Sequence, residues 1–265
     1  MPHLHFVLDA YDCVEEHGNN PMAIYELLNQ VAYKLELKPV MPPFLVPYYY
    51  CKDSEDGGIS AFLICEGGHI TIHTFPYRSC YFADILTDNF FSKNEAEKLF
   101  TDYLKANKVV SEIVDRRMIY DTEDKKIDDK SDFGPHFMVE VSNVEMSLEW
   151  INKWLDNVAE EINMTPISRP YVIFDKKENP SYISGILVVA QSHIGVHYNI
   201  KEKKAYIDIF SCAFLDKEFV GKIFEKYFGK DVRWKLYSRG SKHTDFFKRK
   251  ESRIRIGKDW QNNIK

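Results

Sequence analysis

An internal repeat constrains this chain more than any other feature. Residues 57–75 read GGISAFLICEGGHITIHTF, and residues 181–199 read SYISGILVVAQSHIGVHYN. At a constant offset Ile59-Ser60 falls on Ile183-Ser184, His69 and His73 fall on His193 and His197, and Ile70 falls on Ile194. Further on, YFADIL matches AYIDIF, which places Asp84 on Asp208. The openings HFVLDA and HFMVEV also match, with Asp9 and Glu140 equivalent, and so do the endings SEIVDRR and KLYSRG. Each bare sheet of such a unit needs a cover, and two copies in one chain can supply it by packing against each other in a pseudo-twofold arrangement.

Between the copies, DTEDKKIDDKSDFGP has linker composition: charged, poor in apolar residues and closed by Gly-Pro. The expected organisation is a first unit at 1–120, a charged linker at 121–133 and a second unit at 134–265. Each unit repeats one order of elements. An alternating strand (HFVLDAY, HFMVEVS) is followed by a stretch with apolar residues at helical spacing, 21–35 and 146–162. Several β-rich segments follow, then a second helix (KNEAEKLFTDYLKA, KEFVGKIFEKYF) and a closing strand. This pattern predicts an α+β fold: two homologous α/β-sandwich units related by a pseudo-twofold, in four αββα layers, with mostly antiparallel sheets. The 265 residues, 45% hydrophobic, suffice for such a core.

The formal charge of −5 gives no general electrostatic case for nucleic acid or an anionic membrane. The basic run from Arg233 to Lys258 reads as a solvated face. The five cysteines, with no CxxC pair, fit reduced thiols. The start, MPHLHFVLDAYDC, lacks a basic stretch followed by an apolar run, and no apolar run approaches the roughly 20 residues needed to span a bilayer. A soluble cytoplasmic protein is expected, with neither nucleic-acid nor membrane partners. A metal pair at His193 and His197 is not expected, because residues four apart on a strand lie roughly 13 Å apart.

The two copies differ where chemistry is possible. Ser192 stands opposite Gly68, and Cys212 opposite Asp88, whereas Ser60/Ser184 and His73/His197 are kept in both. The series ISG, SHIxxH and AYIDxFSC, with Ser192, His197 and Cys212 at their spacing, resembles the bacterial-type S-adenosylmethionine decarboxylases, which depend on a pyruvoyl group. The resemblance covers both units, as a tandem fused pair with a degenerate first copy. It implies that Ser192 attacks the carbonyl of Gln191, that the chain cleaves between them, and that Ser192 becomes the pyruvoyl cofactor, with no metal. That carbonyl would form a Schiff base with a substrate α-amine and act as an electron sink for decarboxylation. His197 of the same unit or His73 of the other would be the processing base, assisted by Ser184 or Ser60. Cys212 would reprotonate the product carbanion. Phe75, Asp9 and Glu140 match substrate-binding positions, and Phe75 would offer an aromatic face to a sulfonium.

The residue before the serine is Gln191 where the family has glutamate, and the family's Pro-Glu after the second histidine motif is absent. The expected substrate is S-adenosylmethionine, on the way to spermidine. The alternatives are ornithine or arginine, or a regulatory paralogue that never cleaves. The expected assembly is the internal pseudo-dimer, which homo-oligomerisation could extend.

Overall fold

The structure is a computed structural model that describes residues 3–51, 54–123, 134–190 and 192–239. Gln191 lies outside the described residues, as do 124–133 of the linker and 240–265 of the basic C-terminal run.

The first half contributes strands β1 (Leu4–Tyr11), β2 (Phe44–Tyr48), β3 (Gly58–Cys65), β4 (Gly68–Phe75), β5 (Cys80–Thr87) and β6 (Lys108–Asp115). The second contributes β7 (Pro135–Ser142), β8 (Tyr171–Phe174), β9 (Tyr182–Val189), β10 (Ser192–Asn199), β11 (Lys204–Phe210) and β12 (Arg233–Ser238). The helices are α1 (Glu15–Gly18), α2 (Pro21–Lys34), α3 (Lys93–Leu104), α4 (Leu148–Glu161) and α5 (Lys217–Phe228). The sheet orders are β2-β3-β4-β5-β1-β6 and, reversed, β8-β9-β10-β11-β7-β12, so the two halves share one topology. Every strand pairing is antiparallel. The two-unit α+β expectation is met.

The helices α2, α4 and α5 begin where the sequence supplies a capping side chain. Asn20 accepts from the Met22 and Ala23 amides, with Pro21 in the first helical position. Ser147 caps α4 through Trp150, and Asp216 caps α5 through Phe219. The apolar stripe of α2 (Ile24, Leu27, Leu28, Val31) packs with Phe6, Leu8 and Ala10, one face of β1. In the second half Ile151, Leu155 and Val158 of α4 pack with Phe137, Val139 and Val141 of β7 in the same way.

The other face of each sheet meets its partner sheet. For this reason β1, β3, β4, β5, β9 and β10 are buried along their whole length rather than on alternate residues. This middle layer is polar. His5, Asp9, His69, Thr71, His73 and Asp84 from one sheet, and His136, Glu140, His193, His197 and Asp208 from the other, are all buried. Among the described residues no helix is long and apolar enough to cross a membrane.

Candidate functional site

Strand alternation decides what each histidine can reach. On β10, Ile194, Val196 and Tyr198 join the helix-side core, which sends His193 and His197 to the middle layer. On β4, Ile70 and Ile72 face the helices, and His69 and His73 face the middle. Two chains of buried hydrogen bonds, three links in each, then form across the layer. Ser60 Oγ lies 2.8 Å from His73 Nδ1, His73 Nε2 lies 2.9 Å from His193 Nδ1, and His193 Nε2 lies 2.9 Å from Asp208 Oδ2. The mirror chain runs from Ser184 Oγ to His197 Nδ1 (2.8 Å), from His197 Nε2 to His69 Nδ1 (2.7 Å) and from His69 Nε2 to Asp84 Oδ1 (3.1 Å). Each chain takes its serine and outer histidine from one unit and its inner histidine and aspartate from the other.

Two arginines cross the layer in the same reciprocal way. The Arg239 side chain donates to Asp9, to Asp84 and to the carbonyls of Leu8 and Ala83. Arg116 donates to the carbonyls of Val139 and Ile207, and its Nη1 lies 3.8 Å from Asp208. The carboxyls of Asp84 and Asp208 are held well below the usual range. Burial works to raise both, but His193, His5, His69 and Arg239 outweigh it at Asp84, and His69, His193 and His5 at Asp208. Burial pushes His73 and His197 well below their ordinary value, and the neighbouring histidines His193 and His69 add to this, so both are neutral near pH 7. The ligand-type atoms of His69, Asp84, His193 and Asp208 lie within 4.8 Å of one another and could hold a cation. In this structure they are hydrogen-bonded to one another.

Ser192 opens β10 and is fully buried, and its Oγ accepts from the Cys212 amide at 2.8 Å. The Cys212 thiol donates to the Ala190 carbonyl at 3.4 Å. Burial pushes that thiol up to about 11, so it carries its proton at neutral pH. Ser192 and Cys212 share the wall of a cavity of about 410 Å³ with Ala190, Met164, Phe214 and Phe219. The first unit reaches the same end of the layer. Tyr11, Phe75, Phe82 and Phe210 form an aromatic cluster on which Cys212 packs, and the Asp56–Arg78 ion pair acts electrostatically on the thiol.

Of the residues singled out from the sequence, the structure brings together Ser192 and Cys212, and separately Ser60 with His73 and Ser184 with His197. His73 reaches His193, the residue next to Ser192, and stacks on Phe210. His197 is five residues along β10, roughly 17 Å away, and is engaged by Ser184 and His69. Phe75 is wholly buried, edge-on to Phe82. Asp9 is engaged by Arg239 of the other half, and Glu140 by Lys204 and Arg233 of its own half. The inner pairs His69–Asp84 and His193–Asp208, and both arginines, received no role from the sequence. Their signal was present: each falls on its counterpart in the repeat.

The first unit has a cavity at the equivalent place, of about 330 Å³, lined by Glu66, Asp88, Asn89 and Tyr182. A Cβ on Gly68 would lie 1.9 Å from the Leu86 carbonyl oxygen, so the strand has closed where a serine would stand. Gly68→Ser should therefore create no cleavage site in this unit. It should lower stability by about 1–3 kcal/mol through overpacking. Thermal melting alongside a denaturing gel checks both. A melting temperature equal to wild type would show that the strand has room after all.

A sequence model described as S-adenosylmethionine decarboxylase matches the chain twice, over residues 4–117 and 135–240. An S-adenosylmethionine decarboxylase proenzyme of Thermodesulfovibrio yellowstonii is 32% identical over 83 residues, covering 30% of this chain and 58% of that protein. A protein of the same name from Archaeoglobus fulgidus is 27% identical over 113 residues, covering 40% of this chain and 97% of that protein. The crystal structure of the adenosylmethionine decarboxylase from Aquifex aeolicus VF5 aligns with a TM-score of 0.36 and 18% identity, over 43% of this chain and 96% of that one. The two family matches fall one on each six-stranded half, so this chain, with its repeated unit, belongs to the S-adenosylmethionine decarboxylase family.

Proposed function

We propose that this chain, as units 1–120 and 134–265 joined by 121–133, is a self-cleaving, pyruvoyl-dependent decarboxylase of S-adenosylmethionine. Its product would supply aminopropyl groups for spermidine in the cytoplasm. The reading rests on one observation above all: Ser192 and Cys212, twenty residues apart, line one cavity, and the Cys212 amide donates to Ser192 Oγ. The word "proenzyme" in the names of the two relatives agrees with it.

In the cleavage, Ser192 Oγ adds to the Gln191 carbonyl carbon. The C–N bond breaks, leaving an ester and a free α-amine on residue 192. A base takes the Cα proton, the Cβ–O bond breaks, and residue 191 leaves as a carboxylate. Water then replaces the nitrogen, releasing ammonia and leaving a carbonyl at the new chain start. The amide that Cys212 donates to Ser192 Oγ fixes the hydroxyl in place. His73 is favoured as the base over His197. It comes from the other unit to the residue beside Ser192, and it is neutral. When formed, the carbonyl group supplies an electron sink for loss of a substrate carboxylate. The protonated Cys212 thiol stands in the same cavity to return a proton.

The test is intact mass before and after borohydride, with CO2 release measured on S-adenosylmethionine, ornithine and arginine. The expected result is two fragments, a borohydride-sensitive end on the shorter one, and CO2 from S-adenosylmethionine alone. An uncleaved chain would overturn the reading. CO2 from ornithine or arginine instead would keep the chemistry and replace the substrate.

A further inference from the structure

The inner residues His193 and Asp208 have no part in the scheme above, yet they complete a continuous chain to its base. An ionised carboxylate can only accept a hydrogen bond, so His193 Nε2 must carry the hydrogen that it gives to Asp208 Oδ2 at 2.9 Å. With that hydrogen committed to Asp208, the chain continues from His193 Nδ1 to His73 Nε2 at 2.9 Å, and in the relay His193 Nδ1 accepts from His73 Nε2. His73 Nδ1 is bare in turn and accepts from the Ser60 hydroxyl at 2.8 Å. One carboxylate thereby sets the direction of every hydrogen in the chain and leaves His73 Nδ1 as the basic atom. The fit at Asp208 is local: Gly195 sits opposite it, and a Cβ there would come within 2.9 Å of its carboxylate.

We infer that Asp208 and His193 are positioning residues for self-cleavage, forming with His73 and Ser60 a proton relay that keeps His73 Nδ1 unprotonated and receives its charge. The inference rests on the self-cleavage reading. When His73 Nδ1 takes a proton, its Nε2 hydrogen passes to His193 Nδ1, and the imidazolium that results lies against the ionised Asp208. No oxidant or further reactant is needed. The groups acting on His73 from neighbouring elements are His193 on β10, Asp84 on β5, Arg239 after β12 and His69 on β4.

The mirror chain Ser184–His197–His69–Asp84 provides the control, because it ends in the unit that has Gly68 in place of a serine. Asp208→Asn should slow self-cleavage by about 100-fold and move the acid limb of its pH profile to lower pH, because the His193 imidazolium loses its carboxylate. Asp84→Asn removes a carboxylate that lies farther from His193 Nε2, at 3.6 Å against 2.9 Å for Asp208, and should slow cleavage by no more than about tenfold, a full decade less than Asp208→Asn. Equal effects of the two variants, or an unshifted pH profile in Asp208→Asn, would overturn the relay. Nitrogen-15 NMR of the histidines in the uncleaved Ser192→Ala protein reads the hydrogen directions without any activity. A hydrogen on His73 Nδ1, or a stoichiometric metal ion on His69 and His193, would overturn the relay even if the chain cleaves. A wild type that fails to cleave, with His73 Nδ1 bare, would sink the decarboxylase reading alone.

Discussion

Ser192→Ala should leave this protein as a single 31.1 kDa chain, whereas the wild type should resolve into residues 1–191 and 192–265. The effect is expected to be complete rather than partial. The side chain supplies both the nucleophilic oxygen and the Cβ–O bond that elimination breaks, and no neighbouring group can replace it. Cys212 gives its amide to that oxygen, and its thiol, which donates to the Ala190 carbonyl, stays protonated and brings no oxygen to the Cβ of residue 192. The substitution removes one hydroxyl from a fully buried site, so the Cys212 amide loses its acceptor at a cost of about 1–3 kcal/mol. The variant should still fold. A circular dichroism spectrum matching wild type, beside loss of the fragments and of the borohydride-sensitive end, is the expected pair of results. Fragments persisting in Ser192→Ala would place the labile bond elsewhere, and the decarboxylase reading would lose its foundation.

Much of this architecture is legible in the sequence because the repeat and the periodicities are local. The helix expected at 217–228 is the one observed, and those expected at 21–35 and 146–162 differ only by a residue or two at the ends, where caps decide. What periodicity cannot give is which strands become neighbours. The order β2-β3-β4-β5-β1-β6 puts the first strand of the unit between β5 and β6, a pairing fixed by burial over long sequence separations. The same limit applies at the site. From sequence His73 and His197 are equivalent as bases, because the choice depends on how two units stack. The structure places His73 against His193 and His197 against His69, and the proposal of His73 as the base rests on His193 being the neighbour of Ser192. Asp9 and Glu140 look like one position read twice, yet they sit in different halves and meet different cations. The alternation of β1 marks His5 and Asp9 as one face but is silent on whether that face meets water or another sheet. Here it meets a sheet, which is why its polar residues are paired in chains rather than solvated.

That pairing makes Arg239 the residue whose loss should cost the fold most. It is fully buried, and its guanidinium bonds Asp9, Asp84 and the carbonyls of Leu8 and Ala83, all on the first unit, while its own backbone follows the last strand of the second. Replacement by methionine keeps most of the volume and removes every one of these donors. Asp84 then keeps only its histidine partners, and the two carbonyls lose the donors they have here. Breaking one side of a buried ion pair costs about 3–5 kcal/mol, because the remaining charge stays desolvated. For a chain of this size that corresponds to a fall of roughly 10 °C in melting temperature. The deficit should depend on pH with a definite sign. The depressed carboxyl of Asp84 gives stability that is present above its unfolded value near 3.8 and is lost as the pH falls through its lower folded value. Arg239→Met weakens that depression, so the gap between variant and wild type should be widest near neutral pH and should narrow below about pH 4. Arg117→Ala is the matched control. Arg117 is more than half exposed and bonds only its neighbour Asp115, so its loss should stay within about 0.5 kcal/mol. Chemical denaturation of the three proteins across pH separates the cases. If Arg239→Met were as mild as Arg117→Ala, the two units would be held by their apolar contacts, and the crossed arginines would be passengers in the interface.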